Sequence, residues 1–418
     1  MNEKRKFVGY RCSKCGKEYS PGEVTYLCPF DQGVLDVLLD IEGIKKSMSP
    51  EQIQSSSEYS MWRYLPLLPV GEPGGSGTPL RLVGWTPVYK PQRLAKEFGF
   101  GPLWVKDESC NPSASFKDRA SALLVVRARE IGAEVIVTAS TGNAGASLAC
   151  MAAAVGHKAV IFAPKSAPPA KIAQLLVFDS KVILVDGSYD DAVDLAVKAA
   201  EEFGWYCRNT GYNPFTAEGK KSAAFEVWEQ VLLAQTLSKP LCLFVSVGDG
   251  NIISGIHKGF RDLQQLGWME HMPRIFGVQS QGSAAITDAF LAGSEEITAV
   301  SASTLADSIS VDMPSDGLRA LRAATRTDGA YLKVSDESIL DAIAALGKAG
   351  IFAEPAGATP FAGTLQALRS GLISKEDPVL VLVTGSGLKD VKAAARSVGE
   401  APVIPPGELD AVKEILEK

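Results

Sequence analysis

Histidine is scarce in this sequence: three residues among 418, at positions 157, 257 and 271. If the protein is an enzyme, an imidazole is therefore not expected to be its main acid–base group. No uninterrupted apolar run reaches the ~18 residues that a membrane-spanning helix needs. The charged start, Met1–Lys6, is not followed by the apolar stretch of a secretory signal. We therefore expect a cytoplasmic protein that does not insert into a membrane.

The sequence also lacks a strong excess of charge of either sign. It has 42 Lys and Arg residues against 48 Asp and Glu residues, a formal net charge of −6. A weakly acidic chain binds polyanions poorly, so nucleic acid is not expected as its main partner. Hydrophobic residues make up 46% and charged residues 22%, which excludes a disordered chain, a collagen and a coiled coil.

Cysteine is sparse. The chain has seven cysteines, and this odd, scattered set argues against a disulfide scaffold. Three of them, Cys12, Cys15 and Cys28, have the spacing of a zinc ribbon, with Asp31 in the place of the fourth cysteine. Two interpretations stay open: a zinc site of three thiolates and one carboxylate, or a ribbon without metal that is held by packing. Either way, residues 1–40 are predicted to form a structural module outside the active site, and the sequence alone assigns no metal ligand.

From about residue 100 onward, short β-branched runs alternate with alanine-rich helical stretches. The runs are apolar throughout, which is typical of parallel strands buried on both faces. They are Leu103–Lys106, Glu134–Ala139, Lys158–Phe162, Lys181–Val185, Leu241–Val247, Arg274–Val278 and Val379–Thr384. The helices predicted between them include Asp118–Ile131, Ala144–Val155, Tyr189–Phe203 and Asp336–Ala349. This alternation predicts an α/β fold with parallel sheets, whose ligands bind in the loops after the strands.

The first such loop is Ser109–Arg119. Ser115 is predicted to cap the helix that follows, which places Lys117 at a helix N-terminus. There the helix dipole and the neighbouring Arg119 disfavour an ammonium and favour a nucleophilic amine. The alternative is a surface lysine at the start of a helix.

Three more loops follow apolar strands. Ala139–Ser147 opens a helix with small residues, so its N–H groups could cradle an anion and Asn143 could bond a ligand oxygen. Ser246–Ile252 has two glycines that allow the backbone to approach a phosphate, although it lacks the G-x-G-x-x-G pattern of a dinucleotide site. Val383–Asp390 offers the hydroxyl of Thr384 to a heterocyclic nitrogen. Each loop alone also has an ordinary explanation, as a turn, a strand end or tight helix–strand packing.

Together, in this order and spacing, the loops resemble the fold-type II pyridoxal-phosphate enzymes and, within them, the threonine synthase family. The resemblance runs from about residue 80 to 395. The motifs that carry it are SFKDR at 115–119, ASTGN at 139–143, VGDGN at 247–251, AEPA at 353–356 and TGSGLKD at 384–390.

The resemblance implies a two-domain unit like the tryptophan synthase β chain, with pyridoxal 5'-phosphate in the cleft between the domains. Residues 41–117 and 216–400 would form the large cofactor-binding domain, and 118–215 a small mobile domain. Residues 401–418 would be a C-terminal tail helix. The resemblance also implies a homodimer and a small amino-acid substrate.

The same resemblance assigns roles to individual residues. Lys117 would hold the cofactor through its amine and move protons at the substrate carbons. Asn143 would bond the ring hydroxyl oxygen, and Thr384 would face the pyridine nitrogen. Ser140 and Thr141 would meet the substrate carboxylate or a substrate phosphate. The cofactor phosphate would be wrapped by Gly248, Asp249, Gly250 and Asn251.

The sequence departs from the family pattern at three places. Asp249 stands where threonine synthases commonly have asparagine, and a carboxylate there would repel a phosphate unless it caps the loop or faces away. The arginine that grips the substrate phosphate is missing, since Phe215 or Thr216 occupies its place. Ser386 stands where histidine is common. Candidates to replace the arginine are Lys220, Lys221 and Arg208.

For the reaction, the resemblance implies conversion of O-phosphohomoserine and water to threonine and phosphate. The altered phosphate residues leave an alternative open: β-replacement or β-elimination on O-phosphoserine, serine or threonine, as in cysteate synthase and the dehydratases. A binding protein without catalysis is a third hypothesis, against which the presence of Lys117 argues.

Overall fold

The computed structural model describes residues 6–417. The first five residues, on which the prediction of no secretory signal partly rests, lie outside the described residues. The described chain begins with a three-stranded antiparallel sheet in the order β2-β1-β3. Its strands are β1 (Phe7–Cys12), β2 (Glu18–Tyr19) and β3 (Leu35–Leu39). We call residues 6–40 the N-terminal module.

The rest of the chain alternates between strands and helices. Further strands are β4 (Val88–Tyr89), β5 (Leu103–Asp107), β6 (Val135–Ala139), β7 (Lys158–Pro164), β8 (Lys181–Val185), β9 (Tyr206–Cys207), β10 (Cys242–Ser246), β11 (Arg274–Ser280), β12 (Tyr331–Val334) and β13 (Val379–Val383). The helices are α1 (Ile41–Ser47), α2 (Pro50–Gln54), α3 (Gln92–Phe98), α4 (Lys117–Glu130), α5 (Asn143–Ala153), α6 (Pro169–Val177), α7 (Tyr189–Phe203), α8 (Phe215–Lys220), α9 (Ser222–Val227), α10 (Asn251–Gln265), α11 (Ala285–Leu291), α12 (Gly317–Thr325), α13 (Asp336–Lys348), α14 (Pro355–Arg369), α15 (Val391–Val398) and α16 (Leu409–Leu416).

The strands after the module form two sheets. The larger has the order β12-β11-β10-β13-β5-β4, and the smaller has the order β8-β7-β6-β9. Neighbouring strands are parallel except for β4 and β5, which are antiparallel. The predicted α/β fold with parallel sheets is confirmed.

Burial explains why these runs read as continuous apolar segments. Every residue of β5, β10 and β13 is buried, because helices cover both faces of the central strands. Strand β8 differs, since Leu184 is 51% exposed there. The prediction that every run is buried on both faces is therefore wrong for β8, because this strand is the edge of the smaller sheet and has β7 on one side only.

The parallel arrangement brings the carboxyl ends of the strands together at one end of each sheet. The loops after β5, β10 and β13 leave the same end of the larger sheet. In the smaller sheet, β6 is followed by a loop that leads into α5. Within residues 6–417, no helix is long and apolar enough to cross a membrane.

Buried charges tie the start of α4 to the larger sheet. Arg119 donates from Nε to Glu108 at 2.7 Å and from Nη1 to Glu226 at 2.6 Å, and Lys106 donates to Glu226 at 2.7 Å. All four side chains are fully buried. Burial alone would lower the pKa of Arg119, but the two carboxylates raise it above its ordinary value. We call these four residues the charge quartet; it joins β5 and α4 to α9.

The charge quartet predicts a large loss of stability when its centre is removed. Arg119→Met leaves two buried carboxylates with only Lys106 as a cation, which is expected to cost about 3–5 kcal/mol. Urea unfolding followed by circular dichroism measures the loss. Lys333→Met, which breaks the exposed pair with Asp288, is the control and should shift the urea midpoint little. Equal effects of the two substitutions would contradict the role given to the quartet.

Candidate active site

Two loops that are far apart in sequence are hydrogen-bonded to each other just before α4 begins. The N–H of Phe116 donates to the carbonyl of Thr384 at 2.8 Å, and the N–H of Ser386 donates to the carbonyl of Ala114 at 3.1 Å. Ala114 has a φ of +62°, a left-handed conformation that turns the loop toward the helix. These bonds place Lys117, the first residue of α4, beside the end of β13.

A cavity lies where these loops meet the loops after β6 and β10. Of the residues that the sequence predicts for the site, it is lined by Lys117, Asn143, Gly248, Asp249, Gly250 and Thr384. Lining residues to which the sequence analysis gave no role include Ser246, Ser308 and Glu354. Ser140 and Thr141 lie in the turn between β6 and α5, just before Asn143, but do not line the cavity.

Asn143 is held across the cavity by residues from distant parts of the chain. Its side-chain amide donates to Oε1 of Glu354 at 2.8 Å and to the hydroxyl of Ser308 at 3.3 Å. Glu354 directly precedes α14, and burial raises its pKa from 4.5 to about 7. The AEPA motif contained this carboxylate, yet only the fold shows that it faces Asn143.

The loop between β10 and α10 is shaped for a close approach of backbone to ligand. A Cβ on Gly248 would lie 2.8 Å from the Cα of Ile309. Gly250 has a φ of +88°, and a Cβ there would lie 2.7 Å from the carbonyl oxygen of Asp316. Only glycine fits these two positions, and the loop runs directly into the N-terminus of α10, where N–H groups favour an anion.

Asp249 is not a free carboxylate in this loop. Its Oδ1 accepts the N–H of Asn251 at 3.0 Å, so the side chain closes its own loop where the chain enters α10. Burial alone would raise the pKa of Asp249, but the charges of Lys117 and Lys220 outweigh burial and lower it. Of the two arrangements that would reconcile Asp249 with a phosphate, the structure has the first, a carboxylate that caps its own loop.

The side chain of Asn251 connects the loop between β10 and α10 to two neighbouring charged residues. Its side chain is fully buried, accepts from the ammonium of Lys220 at 2.7 Å and donates to Asp316 at 2.8 Å. The side-chain hydrogen bonds of Asn251 thus go to protein groups. It holds Lys220 and Asp316 in place around Gly250.

Three cations could replace the missing arginine. Lys221 is engaged with carboxylates, whereas Lys220 and Arg208 form no ion pair within residues 6–417. Lys221 points away and pairs with Glu218 at 2.6 Å and Asp262 at 2.7 Å. Lys220 is buried, and its pKa lies well below the ordinary value because of desolvation and the charge of Lys117. Arg208 is also buried, and burial lowers its pKa to about 10.

Arg208 has spare hydrogen-bonding capacity. It donates from Nη1 to Thr210 at 2.6 Å and from Nε to Ser121 at 3.3 Å, whereas Nη2 is buried without a partner. Within residues 6–417, no carboxylate forms an ion pair with it. A buried guanidinium with an unused donor is suited to bind an anion.

Two expectations about the lysine loop are wrong. Ser115 does not cap α4; its hydroxyl is buried without a hydrogen bond, and Asp118 instead accepts from the N–H and hydroxyl of Ser113. Arg119 does not act on Lys117 as an uncompensated charge, because Glu108 and Glu226 neutralise it in the charge quartet. The local sequence gave no sign of either partner, since both depend on tertiary contacts.

These features fit the phosphorylated pyridine aldehyde that the sequence resemblance implies. The glycine loop offers backbone donors where a side chain would collide, and Arg208 offers an unused buried donor. Lys117 reaches the same cavity with a primary amine, and Thr384 reaches it with a hydroxyl. A phosphate, an aldehyde and a ring nitrogen thus each find a suitable group.

Comparisons with known proteins bear out the family resemblance of the sequence. The family model for pyridoxal-phosphate dependent enzymes matches residues 80–385. The threonine synthase of Methanocaldococcus jannaschii is 37% identical over 411 residues, covering 98% of this chain and 99% of the relative. The threonine synthase of Methanosarcina acetivorans is 35% identical over 410 residues, covering 97% and 98%.

Solved structures share the architecture. Processed threonine deaminase isoform 2 from Solanum lycopersicum aligns with a TM-score of 0.64 at 22% identity, covering 75% of this chain and 83% of that one. Maize serine racemase aligns with a TM-score of 0.63 at 22% identity, covering 79% and 92%. At these identities the likeness concerns the fold alone. With the family match and the two synthase relatives, it shows that the chain belongs to the fold-type II pyridoxal-phosphate-dependent enzymes and, within them, to the threonine synthase family.

Proposed function

We propose that this enzyme converts O-phosphohomoserine and water to threonine and phosphate. The observation that carries the proposal is the pair of buried cations, Arg208 and Lys220, beside a glycine loop that already suits one phosphate. The reaction requires room for two phosphates, one on the cofactor and one on the substrate. Neither cation lines the cavity, but both act electrostatically on Asp249 at its wall, and Lys220 donates to Asn251 of the glycine loop at 2.7 Å.

Pyridoxal phosphate, when bound, supplies an electron sink that stabilises negative charge on substrate carbons. We assign Lys117 the tasks of holding it through the amine and of moving protons at those carbons. The backbone of Gly248, Asp249, Gly250 and Asn251 would hold its phosphate.

Three groups of side chains would orient the bound molecules. Asn143 would face the ring oxygen with the amide that now donates to Glu354, and Thr384 would face the ring nitrogen with a hydroxyl that stays neutral. Ser140 and Thr141 would bind the substrate carboxylate as the turn before α5 closes over the cleft. The roles of all these residues are proposals that rest on position and chemistry.

Larger features of the proposal follow the same reasoning. Residues 41–117 and 216–400 would act as the large domain and 118–215 as a small domain that moves on substrate binding. The N-terminal module would be a zinc-ribbon-like unit, and 401–418 a tail helix. The enzyme would work as a homodimer in the cytoplasm, in amino-acid biosynthesis.

The substrate-phosphate site is where this chain differs most from its family pattern. Thr216 cannot replace an arginine, because its hydroxyl already donates to the carbonyl of Asn213 at 2.7 Å. Arg208 and Lys220 approach the site from other directions, and a phosphate would satisfy the free Nη2 of Arg208. The loss of one arginine is thus compensated by two cations elsewhere in the sequence.

The test of the proposed function is an assay of the purified enzyme with four substrates. O-phosphohomoserine alone should release phosphate and yield threonine. Release of keto acid from serine or threonine, or sulfite-dependent turnover of O-phosphoserine, without phosphate release from O-phosphohomoserine would contradict the proposal. That outcome would instead favour dehydratase or cysteate synthase chemistry.

Removing the amine should abolish cofactor attachment. Lys117→Ala is expected to lose the visible absorbance of the bound cofactor together with all turnover, because no other group is assigned to hold it. Absorbance spectra and phosphate release measure both losses. Lys96→Ala, on the partly exposed helix α3, is the control and should keep both. Unchanged turnover in Lys117→Ala would show that the assignment is wrong.

Removing either buried cation should weaken substrate binding. Arg208→Gln and Lys220→Gln are each expected to lower kcat/KM for O-phosphohomoserine ~10–100-fold, since a charged hydrogen bond contributes about 1.5–3 kcal/mol. Inorganic phosphate should also inhibit these variants more weakly than the wild type. Lys165→Gln, an exposed lysine, is the matched control. Unaltered phosphate inhibition in both variants would place the substrate phosphate elsewhere.

Glu354 should make stability depend on pH. Its pKa is raised from 4.5 to about 7 in the folded protein, so the buried carboxylate destabilises the fold increasingly as pH rises from about 4.5 to 7. The cost above pH 7 is on the order of 3 kcal/mol, at 1.36 kcal/mol per pKa unit. Glu354→Gln should therefore be more stable than the wild type at pH 8, and this gain should vanish near pH 4.5.

Urea unfolding at several pH values measures this difference. Glu337→Gln on α13 removes an exposed carboxylate and is the control. A gain for Glu354→Gln that is the same at pH 5 and pH 8 would contradict a raised pKa for Glu354.

A further inference from the structure

Two turns of the N-terminal module bring four metal-binding side chains to one point. Cys12 and Cys15 lie at the end of β1 and in the turn after it, and Cys28 and Asp31 lie in the turn before β3. One ligand atom from each residue lies within 4.8 Å of all the others. The three cysteines are free thiols, so no disulfide uses them.

The separations match the edges of a tetrahedral metal site. With Zn–S bonds of ~2.3 Å and Zn–O bonds of ~2.0–2.2 Å, a tetrahedron has S···S edges of about 3.8 Å and S···O edges of about 3.5 Å. Sγ of Cys15 lies 3.9 Å from Sγ of Cys28. Sγ of Cys12 lies 3.3 and 3.6 Å from the two oxygens of Asp31.

Polar groups lie within hydrogen-bond distance of two of the sulfur atoms. The N–H of Lys14 donates to Sγ of Cys12 at 3.4 Å. The buried hydroxyl of Tyr19 lies 3.0 Å from Sγ of Cys28, where it can donate to a thiolate. Hydrogen bonds of this kind orient thiolate ligands and tune them for a metal. Gly33 is required beside the cluster, because a Cβ there would lie 2.6 Å from Sγ of Cys12.

The charge around the cluster points the same way. Three thiolates, one carboxylate and one divalent cation carry a net charge of 2 − 4 = −2. A cleft of about 350 Å³ next to Cys12 and Cys15 is rich in cations, namely Arg11, Lys14, Lys258, Arg261, Arg319, Arg322 and Arg326. Within residues 6–417, Arg326 forms no ion pair. Five of the seven cations already pair with carboxylates, so an anionic centre would act mainly on Lys14 and Arg326.

We propose that Cys12, Cys15, Cys28 and Asp31 bind one Zn²⁺ ion. Four protein ligands complete the tetrahedron, so the ion has no open position for a substrate and its role is structural. Asp31 replaces the fourth thiolate of a common zinc ribbon. The assignment does not depend on the proposed reaction, because metal content can be measured without any substrate.

The ion would fix the face of the module that docks on the catalytic unit. β3 presents Asp36, which accepts from Arg319 of α12 at 2.6 Å and from Arg261 of α10 at 3.0 Å. The carbonyl of Ser13, between two of the ligands, accepts from Arg322 at 2.6 Å. Loss of the metal should therefore loosen the contacts of the module with α10 and α12.

The test measures metal in the full-length holoenzyme purified without chelator. Elemental analysis should find about one zinc per chain. Asp31→Ala and Cys28→Ser should hold well under half an equivalent, and Cys110→Ser, which removes an exposed thiol outside the cluster, should keep about one. Asp31→Cys should also keep about one and should release it to EDTA more slowly than the wild type, because it completes a four-thiolate site.

Cobalt replacement reports the ligands even if a variant folds poorly. The wild type with Co²⁺ in place of zinc should show the intense bands of a tetrahedral thiolate complex, and Asp31→Cys should shift them. Less than about a tenth of an equivalent of zinc in both the wild type and Asp31→Cys, after reduction and incubation with excess Zn²⁺, would overturn the proposal. Full zinc occupancy in Cys28→Ser, or a Cys15–Cys28 disulfide in the isolated protein, would overturn it equally.

Discussion

The buried guanidinium of Arg119 is the interaction on which the geometry of the active site depends. A charge without solvent is tolerated only when fixed partners surround it, and Glu108 and Glu226 supply them. Glu226 also accepts the N–H groups of Trp85 and Thr86. One cation thereby positions the start of α4, the end of β5 and the loop before β4. Lys117 lies two residues from this centre, so its place at the cavity is set by contacts that lie outside the cavity.

Two cations near the cavity show a different arrangement, because neither forms an ion pair with a carboxylate within residues 6–417. Lys220 and Arg208 are buried with lowered pKa values, and Asp249 is the carboxylate that acts on both. Burying two cations without an ion pair makes the protein without ligands less stable and favours anion binding, because an anion stabilises their charged forms. Asp249, which appears unfavourable beside a phosphate, thus serves as a cap and as a partial counter-charge. Under the proposed function, the same two cations would give the site its preference for phosphorylated molecules.

The sequence allowed the parallel strands, the four loops after them and six of the thirteen residues that line the cavity to be predicted, because strand periodicity and turn residues are local signals. It could not show which partner each polar group would find. Asn143 and Glu354 are 211 residues apart, and only the order of the strands brings them together. Arg208 follows β9 in the smaller sheet and could be named as a candidate, but its free Nη2 depends on packing around it. The prediction that Ser115 caps α4 is wrong for the same reason. Backbone hydrogen bonds to residues 384–386, which are distant in sequence, determine the conformation of that loop.

The N-terminal module does not line the cavity, yet its charges are connected to the phosphate loop. Asp36 of β3 and Asp316 share Arg319, and Asp316 in turn accepts from Asn251, whose other side-chain atom holds Lys220. Each link is a buried or half-buried hydrogen bond of 2.6–2.8 Å between charged or amide groups, so a shift of one group changes the field at the next. A module that docks through Asp36 therefore helps to set where Arg319 and Asp316 lie, and with them the loop at Gly250. That the module is structural and outside the active site stays a prediction, and the ion pairs add it to the framework that positions the loop.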